Sequence, residues 1–297
     1  MFNPDKFEGK KDPVKSFNEF KEKITFNPLY LPRYSELKDA FSLIENSDME
    51  KYDMETALSR LFVGNDLENT PFEPWNEEFV KQLGFYIDER IKDYKSKDTN
   101  TQFNILEVGA RDGGLSYFLN DFINRKDFQK DKDLNFIASD NLQNYKKDWK
   151  ELPNVPLEKI DYKKAIEKFR PSIVVCSYMP SKEDWTEFFR SKKFIKEYIL
   201  IGDVEFFRDF QKTWGGYAAI NSLGKTFLSS SDSNISQEIM NIIKQAEFYK
   251  DGFDMFDLKR LDNFQIDHST YFYTKPLNKN EYKFSGAKSV SFRRRNN

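Results

Sequence analysis

The sequence contains only one cysteine and one histidine, and each scarcity excludes a class of protein. Cys176 cannot form an internal disulfide, which is typical of a reducing compartment. His268 has no second histidine with which to share a metal ion, so we expect no metal site. Apolar runs long enough to cross a bilayer or to form a signal segment are also missing. We therefore expect no membrane association and a location inside the cell, in the cytoplasm or the nucleus.

The sequence also has almost no excess of one sign of charge over the other. Charged residues make up 32% of the sequence, yet the net charge is only −2, which does not favour nucleic acid as a partner. Arg293–Arg295 could contact phosphates, although alternate residues of this segment also suit a strand. Aromatic residues, in contrast, reach 16%, so we expect rings to build much of the core.

The chain falls into two parts with different patterns. Residues 1–74 are polar and interrupted by prolines, and we expect a helical or irregular extension with helices at 35–45 and 49–62. Residues 75–297 begin with an amphipathic helix at 76–94 and then alternate between strand-like and helix-like segments. This second part is predicted to be an α/β domain.

Strands that alternate with helices indicate a mostly parallel sheet with helices on both faces. In such sheets a ligand lies beyond the carboxyl ends of the strands, near the point where the strand order reverses. The predicted strands are Phe103–Val108, Leu134–Ser139, Leu157–Ile160, Ile173–Cys176, Tyr198–Ile201, two stretches within 255–274, and 287–293. The predicted helices include Leu115–Ile123, Lys163–Phe169 and Ile235–Ala246.

The first strand ends in a glycine-rich turn that is typical of a cofactor site. Glu107, Gly109 and Gly113 belong to this turn, and glycines let a ligand approach the backbone closely. A dinucleotide site would need a glycine where Arg111 stands, and Asp112 would repel a pyrophosphate. S-adenosylmethionine carries no phosphate but has a sulfonium and an ammonium group, which tolerate nearby carboxylates. The turn therefore favours this cofactor over a nicotinamide.

Acidic residues also follow the second and third predicted strands. The Asp140 carboxylate can accept from both ribose hydroxyls of a nucleoside. Asp161 can accept from an adenine amino group, and Tyr162 can stack on the ring. The alternative for each acid is a surface helix cap. Three acids at the ends of three successive strands favour a shared pocket.

The pattern EVGAxDG, followed by Asp140 and Asp161, resembles the class I S-adenosylmethionine-dependent methyltransferases. The resemblance covers about residues 100–205. More narrowly, LEVGARDGGLSYFL, IDYKKAIEKFRPSIVVCSYMP and EYILIGD resemble a poorly characterised group of eukaryotic methyltransferase-like proteins. The implied fold is a seven-stranded, mostly parallel Rossmann-like sheet.

The resemblance also implies roles for individual residues. Glu107 and Gly109 would contact the methionine part of S-adenosylmethionine, Asp140 the ribose, and Asp161 the adenine. Arg111 departs from the family pattern, which usually has glycine at that place.

The loop after the fourth predicted strand is the natural place for a methyl acceptor. Ser177, which could also contact the cofactor, and Tyr178 could orient the acceptor, and Asp184, Asp203 or Glu205 could act as a base. The loop has a serine, an aromatic and a proline, but not in the order typical of enzymes that methylate nucleobase amines. The alternative is that these side chains only pack or face solvent.

Two functions remain open from the sequence. The first is a methyltransferase that uses S-adenosylmethionine and an unidentified nitrogen or oxygen acceptor. The second is a catalytically inactive binding or scaffold protein on the same fold, which predicts a cleft closed by Arg111 or by an aromatic ring. A nicotinamide-dependent enzyme is disfavoured by the missing glycine.

Overall fold

A computed structural model describes most of the second half of the chain and parts of the first. The chain divides into two compact units, Met1–Glu78 and Phe79–Asn297, while the predicted division after residue 74 stays a prediction. The predicted helix at 49–62 and the segment around His268 lie outside the described residues. The described residues are 15, 19–20, 22, 30–45, 75–97, 103–111, 113–124, 134–141, 157–180, 183–203, 213–214, 240–265 and 287–295.

The first unit contains helix α1 (Tyr34–Glu45), close to the predicted 35–45. Glu36 lies in its first turn and accepts a hydrogen bond from the Tyr30 hydroxyl at 2.7 Å. The Tyr34 backbone N–H donates to Glu78 at 2.7 Å. Carboxylates near the amino end of a helix satisfy its unpaired N–H groups and its dipole, which explains why the helix begins here.

The second unit contains most of α2 (Glu77–Lys97), whose apolar face is buried at helical spacing through Phe79, Leu83, Ile87 and Ile91. None of the described helices has both the length and the apolar character that crossing a membrane requires.

The strands that follow α2 are β1 (Phe103–Val108), β2 (Leu134–Ser139), β3 (Leu157–Glu158), β4 (Ile173–Ser177), β5 (Glu197–Asp203), β6 (Phe253–Asp257) and β7 (Ala287–Arg294). The helices include α3 (Gly114–Asn124), α4 (Tyr162–Phe169), α5 (Thr186–Ser191), α6 (Glu247–Lys250) and α7 (Lys259–Asp262). Residues 240–246 are the described part of the predicted helix Ile235–Ala246, and all of them except Ala246 are helical as well.

The seven strands form one sheet in the order β3-β2-β1-β4-β5-β7-β6. β1 pairs in parallel with both β2 and β4, and β7 runs antiparallel between β5 and β6. β1 and β4 are buried at nearly every position, as expected for strands covered on both faces. The predicted Rossmann-like, seven-stranded and mostly parallel sheet is confirmed.

β3 is shorter than predicted. The apolar pattern predicted a strand over Leu157–Ile160, but only Leu157 and Glu158 pair with β2. The Ile160 N–H instead donates to the Glu158 carbonyl at 2.9 Å, which turns the chain toward α4. A strand at the sheet edge needs few residues, because it has one neighbour only.

The edge formed by β7 and β6 is held by aromatic rings and arginines. Tyr198 of β5 and Phe292 of β7 stack at 4.6 Å. Arg294 donates to the backbone carbonyls of Arg190, Lys192 and Ile195 at 2.8–3.0 Å. Three successive arginines lie over three rings: Arg293 over Phe256, Arg294 over Phe253 and Arg295 over Tyr249. These contacts give the Arg293–Arg295 segment a role inside the fold.

The buried carboxylate of Glu197 joins α2 to the sheet. Its side chain is 0% exposed and accepts from Arg90 Nε at 2.9 Å and from the Tyr94 hydroxyl at 2.9 Å. It also accepts from Ser291 Oγ at 2.6 Å and from the Tyr86 hydroxyl. Burial and the Glu197 charge raise the pKa of both tyrosines, so both remain donors.

We expect Glu197→Ala to lower the free energy of unfolding by about 3–5 kcal/mol, because it removes the buried carboxylate that pairs with the largely buried guanidinium of Arg90. The matched control is Asp93→Ala, which removes the more exposed carboxylate on the same arginine and should cost under about 1 kcal/mol. Urea denaturation measures both. Equal losses in the two variants would show that Glu197 does not anchor α2.

Candidate functional site

The carboxyl ends of β1, β2 and β3 meet at one edge of the sheet. Beyond the end of β1, the Ala110 N–H donates to the Ser139 carbonyl at 3.0 Å. Beyond the end of β2, the Asp140 N–H donates to the Glu158 carbonyl at 3.1 Å. Because β1 also pairs with β4 on its other side, the strand order reverses here. This is the edge at which doubly wound sheets bind ligands.

The described residues of the turn after β1, 109–111 and 113–114, are called the glycine corner below. Gly109 and Gly113 have φ values of +67° and +76°, and Arg111 takes +53° although it carries a side chain. The Gly113 N–H donates to the Ala110 carbonyl at 2.8 Å and closes the turn. The Arg111 N–H donates to Asp140 Oδ2 at 2.9 Å, so the two predicted site residues are in direct contact.

Glu107, the last acid of β1, is only 2% exposed. Its Oε2 accepts from both the backbone N–H and the hydroxyl of Ser116, at 3.0 and 2.5 Å. Its Oε1 lies 3.4 Å from Ser177 Oγ at the end of β4. Sequence reasoning missed Ser116. The signal was its place in the first turn of α3, where N–H groups have no acceptor within the helix.

Asp161 caps helix α4. Its Oδ1 accepts from the N–H groups of Lys163 and Lys164 at 3.0 and 3.2 Å. This oxygen therefore serves as a helix cap, which is the alternative to a ligand contact that the sequence left open. The predicted contact of Asp161 with adenine stays a prediction.

An aromatic ring lies against the glycine corner. The Trp185 ring stacks on Tyr162 with centroids 4.5 Å apart and planes 15° apart. A Cβ atom built on Gly109 would come within 3.1 Å of Cζ3 of that ring. The indole N–H donates to the Glu183 carboxylate, a partner that the sequence did not indicate. The same ring thus lies beside Gly109, which follows β1, and against Tyr162, which begins the helix after β3.

Of the residues predicted for the acceptor, Ser177 lies with its Oγ 3.4 Å from Glu107 Oε1. Tyr178 has a φ of +50°, and its N–H donates to the Ile201 carbonyl at 2.8 Å. Asp184 accepts from the Thr186 backbone N–H at 3.0 Å and from its hydroxyl, at the start of α5. Asp203 ends β5, and Glu205 lies outside the described residues.

Carboxylates surround the stacked pair. Burial raises the pKa of Tyr162, and the charges of Glu183, Asp161 and Asp184 raise it further. The phenol is therefore protonated at neutral pH, and the local field favours hydrogen-bond donors and cations. Within the ranges that the structure describes, no group of three or more His, Cys, Asp or Glu side chains could hold a metal ion.

We expect Gly109→Ala to destabilise the protein more than Gly252→Ala does. Both glycines have a positive φ, so alanine costs about 1–2 kcal/mol in backbone strain at either position. The new Cβ would meet Trp185 at Gly109, whereas no atom lies within 4 Å at Gly252. Chemical denaturation should show about 1 kcal/mol of additional loss at Gly109.

Removing the ring provides the control for this prediction. In a Trp185→Ala background, Gly109→Ala should cost no more than Gly252→Ala. If the additional loss persists there, the contact with the ring is not its cause.

No family model and no curated protein sequence matches the chain. Among solved structures, the chain is similar to a Staphylococcus aureus protein to which caffeoyl-CoA O-methyltransferase activity is attributed. The two chains are 13% identical with a TM-score of 0.33, and the alignment covers 88% of this chain and 98% of the other. Small RNA methyltransferase HEN1 is 11% identical, at a TM-score of 0.32, over 79% of this chain and 27% of its own. Magnesium protoporphyrin IX methyltransferase from Synechocystis PCC 6803, solved with bound SAH, is 12% identical, at a TM-score of 0.24, over 82% and 93%. Likenesses this low carry no assignment, so function has to be argued from the chain's own residues.

Proposed function

We propose that this chain binds S-adenosylmethionine and transfers its methyl group to a nitrogen or oxygen acceptor. One observation carries the proposal: the Asp140 carboxylate is hydrogen-bonded to the backbone of the glycine corner, at the edge where the strand order reverses. An acid fixed at that point can accept from ribose hydroxyls, while the corner gives close access to the backbone.

The chemistry of the surrounding side chains fits this cofactor. Glu107, Asp140 and Asp161 supply negative charge at the ends of three neighbouring strands. A phosphate-bearing dinucleotide would meet repulsion from these acids, whereas a sulfonium and an ammonium group would be attracted. In this proposal Glu107 and the backbone of Gly109, Arg111 and Gly113 hold the methionine part. Asp140 holds the ribose, and Asp161 and Tyr162 the adenine.

When bound, S-adenosylmethionine supplies a methyl group on a positively charged sulfur, which a lone pair of the acceptor can attack in line. Most of the acceleration then comes from positioning, which is the task of the protein. Ser177 and Tyr178 at the end of β4 are the candidates for orienting the acceptor. The positive φ of Tyr178 favours this assignment, since strained backbone is common at functional sites.

A base is needed only for a hydroxyl acceptor. Asp184 is the candidate, but one of its oxygens already accepts two hydrogen bonds from Thr186. An amine or a carboxylate acceptor needs no such base. The proposal therefore does not depend on Asp184, and it favours acceptors of these two kinds.

The second candidate is a non-catalytic binding or scaffold protein. The specific observation in its favour is the Trp185 ring, which lies against Gly109 where a ligand would approach the corner. On this alternative the ring closes the site permanently, and neither S-adenosylmethionine nor its product binds.

Calorimetry with S-adenosylhomocysteine separates the two candidates. We expect saturable binding to the full chain and at least about tenfold weaker binding to Asp140→Ala. Each hydrogen bond to a charged group contributes about 1.5–3 kcal/mol, and 1.4 kcal/mol is a factor of ten in affinity. Asp140→Asn keeps one acceptor oxygen for the Arg111 N–H and should lie between the two.

Asp254→Ala is the matched control. It removes a half-exposed aspartate of β6, the edge strand at the other end of the strand order from β3. This variant should bind like the unchanged protein. Absence of heat with folded, unchanged protein would overturn the methyltransferase proposal. Equal affinity in the Asp140 and Asp254 variants would remove Asp140 from the site.

A further inference from the structure

The position of Trp185 coincides with the span expected for a nucleoside. Its ring occupies the space that a Cβ on Gly109, the residue after β1, would approach within 3.1 Å, and it stacks on Tyr162, the first residue of the helix after β3. β2 lies between these two strands and is followed by Asp140. The indole therefore bridges the two ends of the site that the proposed function assigns to one cofactor.

The ring also matches adenine in shape and in hydrogen bonding. Indole and adenine are both planar bicyclic systems, and Tyr162 offers a flat face that accepts either. The indole N–H donates to Glu183, and the exocyclic amine of adenine is a donor of the same kind. Glu183 could thus serve either partner. At Gly109 the missing side chain leaves room for a ring, which a Cβ would reduce.

The backbone of Trp185 is held more firmly than its ring. Its N–H donates to Met179 Sδ at 3.3 Å, and the next residue, Thr186, is buried and bonded to Asp184. The ring itself is oriented by the stack on Tyr162 and by a hydrogen bond to the exposed Glu183. Rotation of the side chain would break the stack, the hydrogen bond and part of the ring's packing against the main hydrophobic cluster, but neither the stack nor the hydrogen bond involves the backbone of α5.

We propose that Trp185 occupies the adenine end of the cofactor site in the cofactor-free protein, and that the adenine of S-adenosylmethionine displaces it. The inference rests on the proposed function and adds a regulatory feature to the same site. Trp185 is then an internal competitor of the cofactor. The apparent affinity for the cofactor is the intrinsic affinity multiplied by the fraction of molecules whose site is free of the Trp185 ring. The inference also makes Glu183 a shared hydrogen-bond acceptor, which accepts from the indole in one state and, together with Asp161, from the adenine amine in the other.

The test is calorimetric titration of S-adenosylhomocysteine into the full chain and its variants. Trp185→Ala removes the competitor and should bind about tenfold more tightly than the unchanged protein. Trp185→Phe keeps a ring on Tyr162 but loses the N–H donor, so its affinity should lie between the two. Glu187→Gln changes an exposed acid in the first turn of α5 and should leave the affinity unchanged.

A second readout does not depend on affinity. The sequence has four tryptophans, and ligand binding should make one of them more accessible to quenching by acrylamide. This increase should disappear in Trp185→Phe, although that variant still binds.

The outcomes separate the two proposals. Tighter binding by Trp185→Ala, together with greater quenching in the unchanged protein, supports displacement. If the unchanged protein binds but both Trp185 variants bind equally or more weakly, displacement is overturned while the proposed function stands, because the ring is then part of the wall. Binding by Trp185→Ala alone overturns displacement and supports the second candidate, because the ring then closes the site of the unchanged protein permanently. No binding by any variant overturns both.

Discussion

The parallel pairing of β1 with both β2 and β4 is the constraint on which the site depends. It places the start of three loops at one edge of the sheet, so that residues far apart along the chain become neighbours. The hydrogen bonds from Ala110 to Ser139 and from Arg111 to Asp140 extend this pairing beyond the strands. These two hydrogen bonds tie the backbone of the corner to the end of β2, and the side chains around the corner supply its chemistry.

Much of this arrangement could be predicted from the sequence, because it follows from local patterns and one topological rule. Apolar runs bounded by glycine or proline marked the strands, and the rule that parallel strands end at a common edge brought Asp140 to the glycine corner. Glu107 was predicted at the end of β1 for the same reason. Where the pattern ran past the real strand, at β3, the error was two residues, since apolar character alone does not tell a strand from the turn that follows it.

The contacts that the sequence did not indicate join segments with no periodic relation. Trp185 reaches Gly109 from a loop 76 positions later, and nothing in the local pattern of either segment specifies the other. Glu197 accepts hydrogen bonds from hydroxyl groups and a guanidinium group of α2 and β7, although the sequence around Glu197 indicates only the start of a strand. Such contacts arise from packing of whole elements, and side-chain chemistry then fills the positions that packing creates.

The position of β7 has a consequence for synthesis of the chain. β7 is the last of the seven strands in sequence, yet it lies between β5 and β6. During translation, β5 is an open edge and β6 has no partner among the described strands until β7 leaves the ribosome. A nascent chain at this stage exposes unpaired backbone and the rings of Tyr198 and Phe253, surfaces that chaperones bind and that promote aggregation. Closure of the sheet therefore has to wait for β7, and translation that stalls before residue 287 would leave a product that cannot complete this part of the sheet.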